Sequence, residues 1–100
     1  MAVSSKDEIV NFLNSNKMLL YKNFGVKRIG IFGSFVKQNQ KSSSDIDMVV
    51  ELEKSRKNIH SFLQLKRFLE QELKRKVDIG FEHTLKPVIK DKIQKEIIYV

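Results

Sequence analysis

The apolar positions of this chain change period several times, and each change marks an element. After Ser5-Lys6-Asp7-Glu8, which has the S-x-x-E form of a capping box, Ile9, Phe12, Leu13 and Leu20 fall at spacings that share one helical face. The pattern predicts a first helix from about Lys6 to Asn23, ended by Gly25 in a left-handed conformation. Val26 to Phe32 is short and rich in β-branched residues, as strands are, and it runs into Gly33-Ser34. Lys37 to Ser44 is polar and aperiodic, which predicts a loop, with room for one short helical turn before it.

Asp45 to Leu52 has the aliphatic cluster and length of a buried strand, so its two leading acids need a reason. A second amphipathic helix follows, with Ile59, Phe62, Leu63, Phe68, Leu69 and Leu73 on a broad apolar face. Lys66, Arg67, Glu70 and Lys74 fall mostly outside that face. From Lys76 to Phe81 the chain alternates, placing Val77, Ile79 and Phe81 on one side of a third strand and Asp78 with Gly80 on the other. Thr84 as a cap and Pro87 in the first turn predict a last helix with the apolar line Ile89, Ile93 and Ile97. The order α-β-β-α-β-α, with no internal repeat and no dividing linker, predicts a single domain over residues 1–100. Its class is α/β (α+β), a small mixed β-sheet with helices packed on it. The pattern leaves open whether the first two strands run parallel or antiparallel.

Composition narrows the setting. A chain of 100 residues with 41% hydrophobic and 31% charged residues is that of a soluble globular domain rather than a low-complexity one. The absence of cysteine excludes a disulfide framework, a thiolate zinc site and a cysteine nucleophile, and it fits a reducing compartment. No apolar run approaches the roughly 20 residues that span a bilayer, and the N-terminus lacks a basic segment leading into an apolar one, so a cytoplasmic location with no membrane association is expected. The formal charge of +7 implies attraction to an anion without choosing among nucleic acid, a nucleotide and an acidic protein face.

The chemistry lies in the acids. Side chains alternate along a strand, so Asp45 and Asp47 share one face while Ile46, Met48 and Val50 point into the core. Two unit charges about 4 Å apart repel by roughly 4 kcal/mol at an effective dielectric near 20, and a hard divalent cation relieves that cost. An all-oxygen donor set without nearby His or Cys suits Mg2+ or Mn2+. Asp78 is the third candidate ligand, on the non-core side of its strand beside a glycine that leaves space. Gly33 lets backbone approach a ligand closely, and Ser34 adds a hydroxyl where N–H groups favour phosphate oxygens. Phosphate on one side and metal-binding carboxylates on the other describe a nucleoside triphosphate site.

Gly33-Ser34, ten intervening residues and Asp45-Ile46-Asp47 resemble the Gly-Ser…Asp-x-Asp signature of the polymerase-beta nucleotidyltransferase superfamily. The stretches Ile31-Phe-Gly-Ser-Phe, Ser44-Asp-Ile-Asp-Met-Val-Val50, Arg75-Lys-Val-Asp78 and Ile93 to Val100 resemble its smallest branch, the minimal nucleotidyltransferases (MNT), over nearly the whole chain. The resemblance implies ATP or another nucleoside triphosphate as donor, Gly33 and Ser34 holding its phosphates, Asp45 and Asp47 binding metal, and Asp78 completing a catalytic triad of acids. Many relatives carry Ala-Arg-Gly where this chain has Val36-Lys37-Gln38, so Lys37 brings a phosphate-facing charge without the bidentate geometry of Arg.

Members of this branch are commonly encoded beside a HEPN-domain protein. The pair resembles a toxin and an antitoxin that adds AMP to a tyrosine of the toxin, and so implies a HEPN toxin partner and a hetero-oligomer with it. The competing expectation is a non-catalytic binding module that neutralises its partner by contact alone. A nucleic-acid partner is disfavoured, because Lys86, Lys90, Lys92 and Lys95 come with no groove-reading motif and read as a solvated helix face. His60 and His83 lack ligand spacing and read as surface residues.

Overall fold

The computed structural model describes residues 5–37, 45–82 and 96–100. Ser5 caps the first helix as expected: its hydroxyl accepts from the Glu8 N–H and donates to the Glu8 carboxylate, both at 3.3 Å. The helix it opens is not continuous. It divides into α1 (Lys6–Ser15) and α2 (Lys17–Phe24) at Asn16, whose backbone leaves the helical region at φ −112°, ψ 14°. The Asn16 side chain holds the break by donating to the Phe12 carbonyl at 2.8 Å, a local bond of the kind that makes Asn a poor residue inside a helix. Ile9, Leu13 and Leu20 are still buried together, so the break redirects the chain without losing the apolar line. Gly25 then ends α2 with φ +72°, and Arg56 donates to the terminal carbonyls of Asn23 and Lys22 at 2.8 and 3.3 Å.

β1 (Val26–Phe32), α3 (Ser34–Lys37), β2 (Ile46–Leu52), α4 (Ile59–Leu73), β3 (Val77–Phe81) and β4 (Ile98–Tyr99) complete the described elements, with a 3-10 turn over Lys54–Arg56. The sheet order is β3-β2-β1-β4. β1 and β2 are antiparallel, whereas β3, reached through α4, runs parallel to β2. This is the small mixed sheet with helices that the pattern predicts. Residues 38–44 of the expected loop, and residues 83–95 with most of the expected last helix, lie outside the described residues. That helix does not extend to Ile97, because Glu96 is in a turn and Ile97 leads into β4.

One face of the sheet carries the core. Ile29 and Ile31 of β1, Ile46, Met48, Val50 and Leu52 of β2 and Val77 and Ile79 of β3 pack against Ile9, Leu13, Leu20, Leu65, Leu69 and Leu73 of the helices. Burying each such side chain contributes about 1.5–3 kcal/mol. The inward line of α4 differs from the broad face expected. It is Ser61, Leu65, Leu69 and Leu73 at i, i+4 spacing, flanked by the half-buried Phe62 and Phe68, while Ile59 is 68% and Leu63 44% exposed. Asn58 caps this helix by accepting from the Ser61 N–H at 2.9 Å.

The other face carries the acids, and the register arranges it in rows. Phe32, Asp47 and Asp78 are level with one another, and Gly30, Val49 and Gly80 form the next row. β4 crosses near this second row, with Tyr99 paired to Gly30. A β-carbon on Gly30 would stand 2.9–3.0 Å from Ile97 and the Tyr99 ring, so only glycine admits that approach. Tyr99 donates to Glu82 at the end of β3, which also accepts from Arg28, and the Arg28 guanidinium lies 4.2 Å from the Tyr99 ring centroid.

Candidate active site

The site is built where the end of β1 meets the beginnings of β2 and β3. Asp47 is half-buried and sits in register between Phe32 of β1 and Asp78 of β3, whereas Asp45 and Asp78 are exposed. Adjacent strands are about 4.8 Å apart, so the pairing alone brings Asp78 beside Asp47, and the two-residue repeat brings Asp45 onto the same face. Burial raises the Asp47 pKa above its ordinary value, and the neighbouring charges of Asp78 and then Asp45 raise it further. Burial of one acid beside two others of like charge, with Asp45 and Asp78 exposed at the site's edge, suits a divalent cation.

Gly33 follows β1 with φ +78°, a conformation in which a β-carbon would be strained. A β-carbon there would also overlap Oδ2 of Asp47 and stand 3.0 Å from its Cγ. The turn therefore lies directly against the carboxylate whose pKa burial raises. α3 starts at Ser34, is anchored by the wholly buried Phe35 and ends at Lys37, with the Val36 N–H donating to the Gly33 carbonyl at 3.1 Å. Ser34 and Lys37 are placed by their backbone, at the two ends of this single turn.

The three acids and the Gly-Ser turn are thus brought to one end of one sheet face. Among the described residues, no group of three acidic or imidazole side chains is closed around a metal-sized point. Gly80 leaves the space that the sequence suggested beside Asp78, since a β-carbon there would meet nothing within 4 Å among the described residues. His60 is exposed, as expected, and His83 lies outside the described residues.

The motif reading assigned no role to Arg75 and Lys76. The Arg75 guanidinium carbon lies 5.2 Å from the ring centroid of Phe35, the residue that follows the Gly-Ser turn. Lys76 accepts from the Ile46 N–H at its carbonyl, at 2.9 Å, one step before Val77 pairs with Ile46. The signal was in the sequence: two cations stand two and three residues ahead of Asp78.

The polymerase beta nucleotidyltransferase family model matches residues 7–100. The chain belongs to this family. It is 35% identical over 100 residues to the protein adenylyltransferase MntA of Thermococcus cleftensis, and the match covers 100% of both chains. It is 36% identical over 94 residues to MJ0128 of Methanocaldococcus jannaschii, provisionally named a protein adenylyltransferase, covering 93% of this chain and 95% of that one. Among solved structures, one described provisionally as a minimal nucleotidyltransferase superposes with a TM-score of 0.82 at 26% identity, covering 98% of each chain. A toxin-antitoxin structure with AMP-PNP shares the fold, with a TM-score of 0.64 at 23% identity over 86% of this chain and 69% of that one. The chain is a nucleotidyltransferase with the fold of the minimal members.

Proposed function

We propose that this nucleotidyltransferase moves AMP from ATP onto a tyrosine hydroxyl of a partner HEPN toxin and so acts as its antitoxin. The observation that carries this reading is the packing of the Gly33 turn against Asp47 with Asp78 level beside it, which sets a phosphate-binding backbone next to paired carboxylates. The full-length similarity to a protein adenylyltransferase supports AMP as the transferred group and a protein as acceptor. The shared fold of toxin-antitoxin assemblies supports a toxin as the partner.

In this reading Gly33, Ser34 and Lys37 hold the donor phosphates, and Asp45, Asp47 and Asp78 hold Mg2+ or Mn2+. The ion, when bound, supplies charge neutralisation for the acceptor oxygen and for the departing pyrophosphate. Asp78, on the outermost of the two acidic strands and exposed, orients the acceptor hydroxyl and takes its proton. The acceptor oxygen bonds to the α-phosphorus as the bond from that phosphorus to the bridging oxygen breaks, and pyrophosphate leaves with the electron pair. No described helix is long and apolar enough to cross a membrane. Use of ATP and the lack of cysteine fit a cytoplasmic site of action.

The test is the intact mass of the partner toxin co-expressed with this chain. The expected result is a gain of one or more AMP groups that disappears with Asp47→Asn. Silencing of the toxin at unchanged mass, retained when the acids are replaced, would overturn the reading in favour of neutralisation by contact.

A further inference from the structure

We propose that Arg75, with Lys76 beside it, grips the β- and γ-phosphates of the donor and extends the phosphate site past the Gly-Ser turn. This rests on the triphosphate reading given above. It starts from a charge problem. Three carboxylates gathered at one end of the sheet repel a triphosphate, and the Gly33-Ser34 turn offers backbone dipoles but no full positive charge. Fixed cations near that end would offset the repulsion, and the segment between α4 and β3 supplies them.

Arg75 belongs to the β3 side of β2, yet its guanidinium lies over the ring of Phe35, on the β1 side, in the turn that begins at Ser34. Its side chain therefore reaches past the start of β2, where the strands stop and the phosphate turn begins. Lys76 stands two residues before Asp78, so it shares that acid's face of the strand, and it is level with Asp45 because Ile46 is level with Val77. The same corner holds an open depression of about 570 Å³ lined by Lys66, Glu70, Lys74, Arg75 and Lys76. Its one carboxylate, Glu70, is engaged in accepting from the Val77 N–H at 3.0 Å. Four cations against one acid among the lining residues make this corner electropositive.

The α-phosphate must lie by the carboxylates for transfer to occur. Arg75 stands three residues before Asp78 and ahead of β3, which suits the end of the donor that leaves as pyrophosphate. A guanidinium seated over an aromatic ring can offer its N–H fork for bidentate contact with phosphate, which an ammonium at the same place would not reproduce.

The experiment compares the parent with Arg75→Met, Arg75→Lys and Lys76→Met in titrations with ATP, ADP and AMP in the presence of Mg2+. Met keeps an apolar stem on Phe35, so a matched thermal unfolding curve separates a binding effect from lost packing. We expect Arg75→Met to weaken ATP binding about tenfold, the loss of one charge-assisted contact, while AMP binding stays within about twofold and Arg75→Lys falls between. Pyrophosphate should lose potency as a competitor in parallel with ATP. Equal ATP affinity in Arg75→Met and a parent that binds and transfers would overturn this inference alone. A parent that binds no ATP would overturn the triphosphate reading and this inference with it.

Discussion

Gly33 and Asp47 are packed so closely that the glycine has no room for a β-carbon: the added atom would overlap Oδ2 of the carboxylate. With φ at +78°, Gly33 also occupies backbone space that side chains rarely adopt. Gly33→Ala therefore meets two penalties at one position. The left-handed conformation costs about 1–2 kcal/mol, and the collision turns the carboxylate or opens the turn. We expect a loss of stability of that order by chemical denaturation and a fall in transfer of at least about 100-fold, the scale of a misplaced catalytic group. Parent activity in a folded Gly33→Ala protein would show that the turn does not set the carboxylate.

Asp47 gives a pH prediction for the chain without metal. Its folded pKa is raised by burial, then by Asp78 and Asp45. Between the ordinary carboxylate value and the raised one, the folded protein holds more protons than the unfolded chain, so stability falls as pH rises through that window. Asp47→Asn should remove this slope and raise the melting temperature at pH 7. Solvent screening at a half-exposed site keeps the gain below about 1 kcal/mol. Mg2+ should stabilise the parent more than the variant. Melting curves from pH 3 to 8 in chelator, repeated with Mg2+, check both statements, and an unchanged slope in the variant would contradict them.

Asp78→Asn should separate binding from chemistry. The substitution is near-isosteric and exposed, and Val77 and Ile79 remain in the core, so the fold should be unaffected. Triphosphate binding should persist through the Gly33 turn and Asp45 with Asp47. Transfer should drop by 10²- to 10⁴-fold, about 3–5 kcal/mol in the barrier, the usual scale for a lost general base. A nucleotide titration followed by a single-turnover transfer assay reads the two halves, and transfer at the parent rate would remove Asp78 from the mechanism.

Gly30→Ala tests the other end of the same face. The new methyl group would press on Ile97 and the Tyr99 ring at 2.9–3.0 Å, and β4 has only two residues to resist displacement. Overpacking of this kind costs about 1–3 kcal/mol. The contact of Tyr99 with Glu82 and Arg28 should loosen, seen as a change in tyrosine fluorescence that is absent in a Tyr99→Phe background. Unaltered fluorescence and stability would mean that β4 is not seated on Gly30.

Local signals carried much of this protein into the sequence. Ser5 caps the first helix through Glu8 because that bond joins residues three apart, and Gly25 adopts the left-handed cap because a glycine there meets no side-chain penalty. The placement of Asp45 and Asp47 on one face follows from a strand's two-residue repeat, and the Gly-Ser…Asp-x-Asp spacing carried the family. What periodicity missed was decided between elements. The break at Asn16 depends on a side chain competing for the Phe12 carbonyl, which an apolar line continuing through the break conceals. Ile59 and Leu63 scan as core because a helix wheel does not say which part of a broad apolar face the sheet will cover.

The sequence by itself determined the residue types of the site, their spacing and the side of each strand that they occupy, because those depend on covalent order and on backbone periods. Only the tertiary structure decided that β1 runs antiparallel and β3 parallel to β2, which puts Asp78 level with Asp47 rather than a row away. It also decided that Gly33 touches Asp47 and that Arg75 reaches Phe35 from across β2. Strand direction and register are set by burying a shared apolar face and by the length of each connection, and these are properties of the whole packed chain that no local pattern contains.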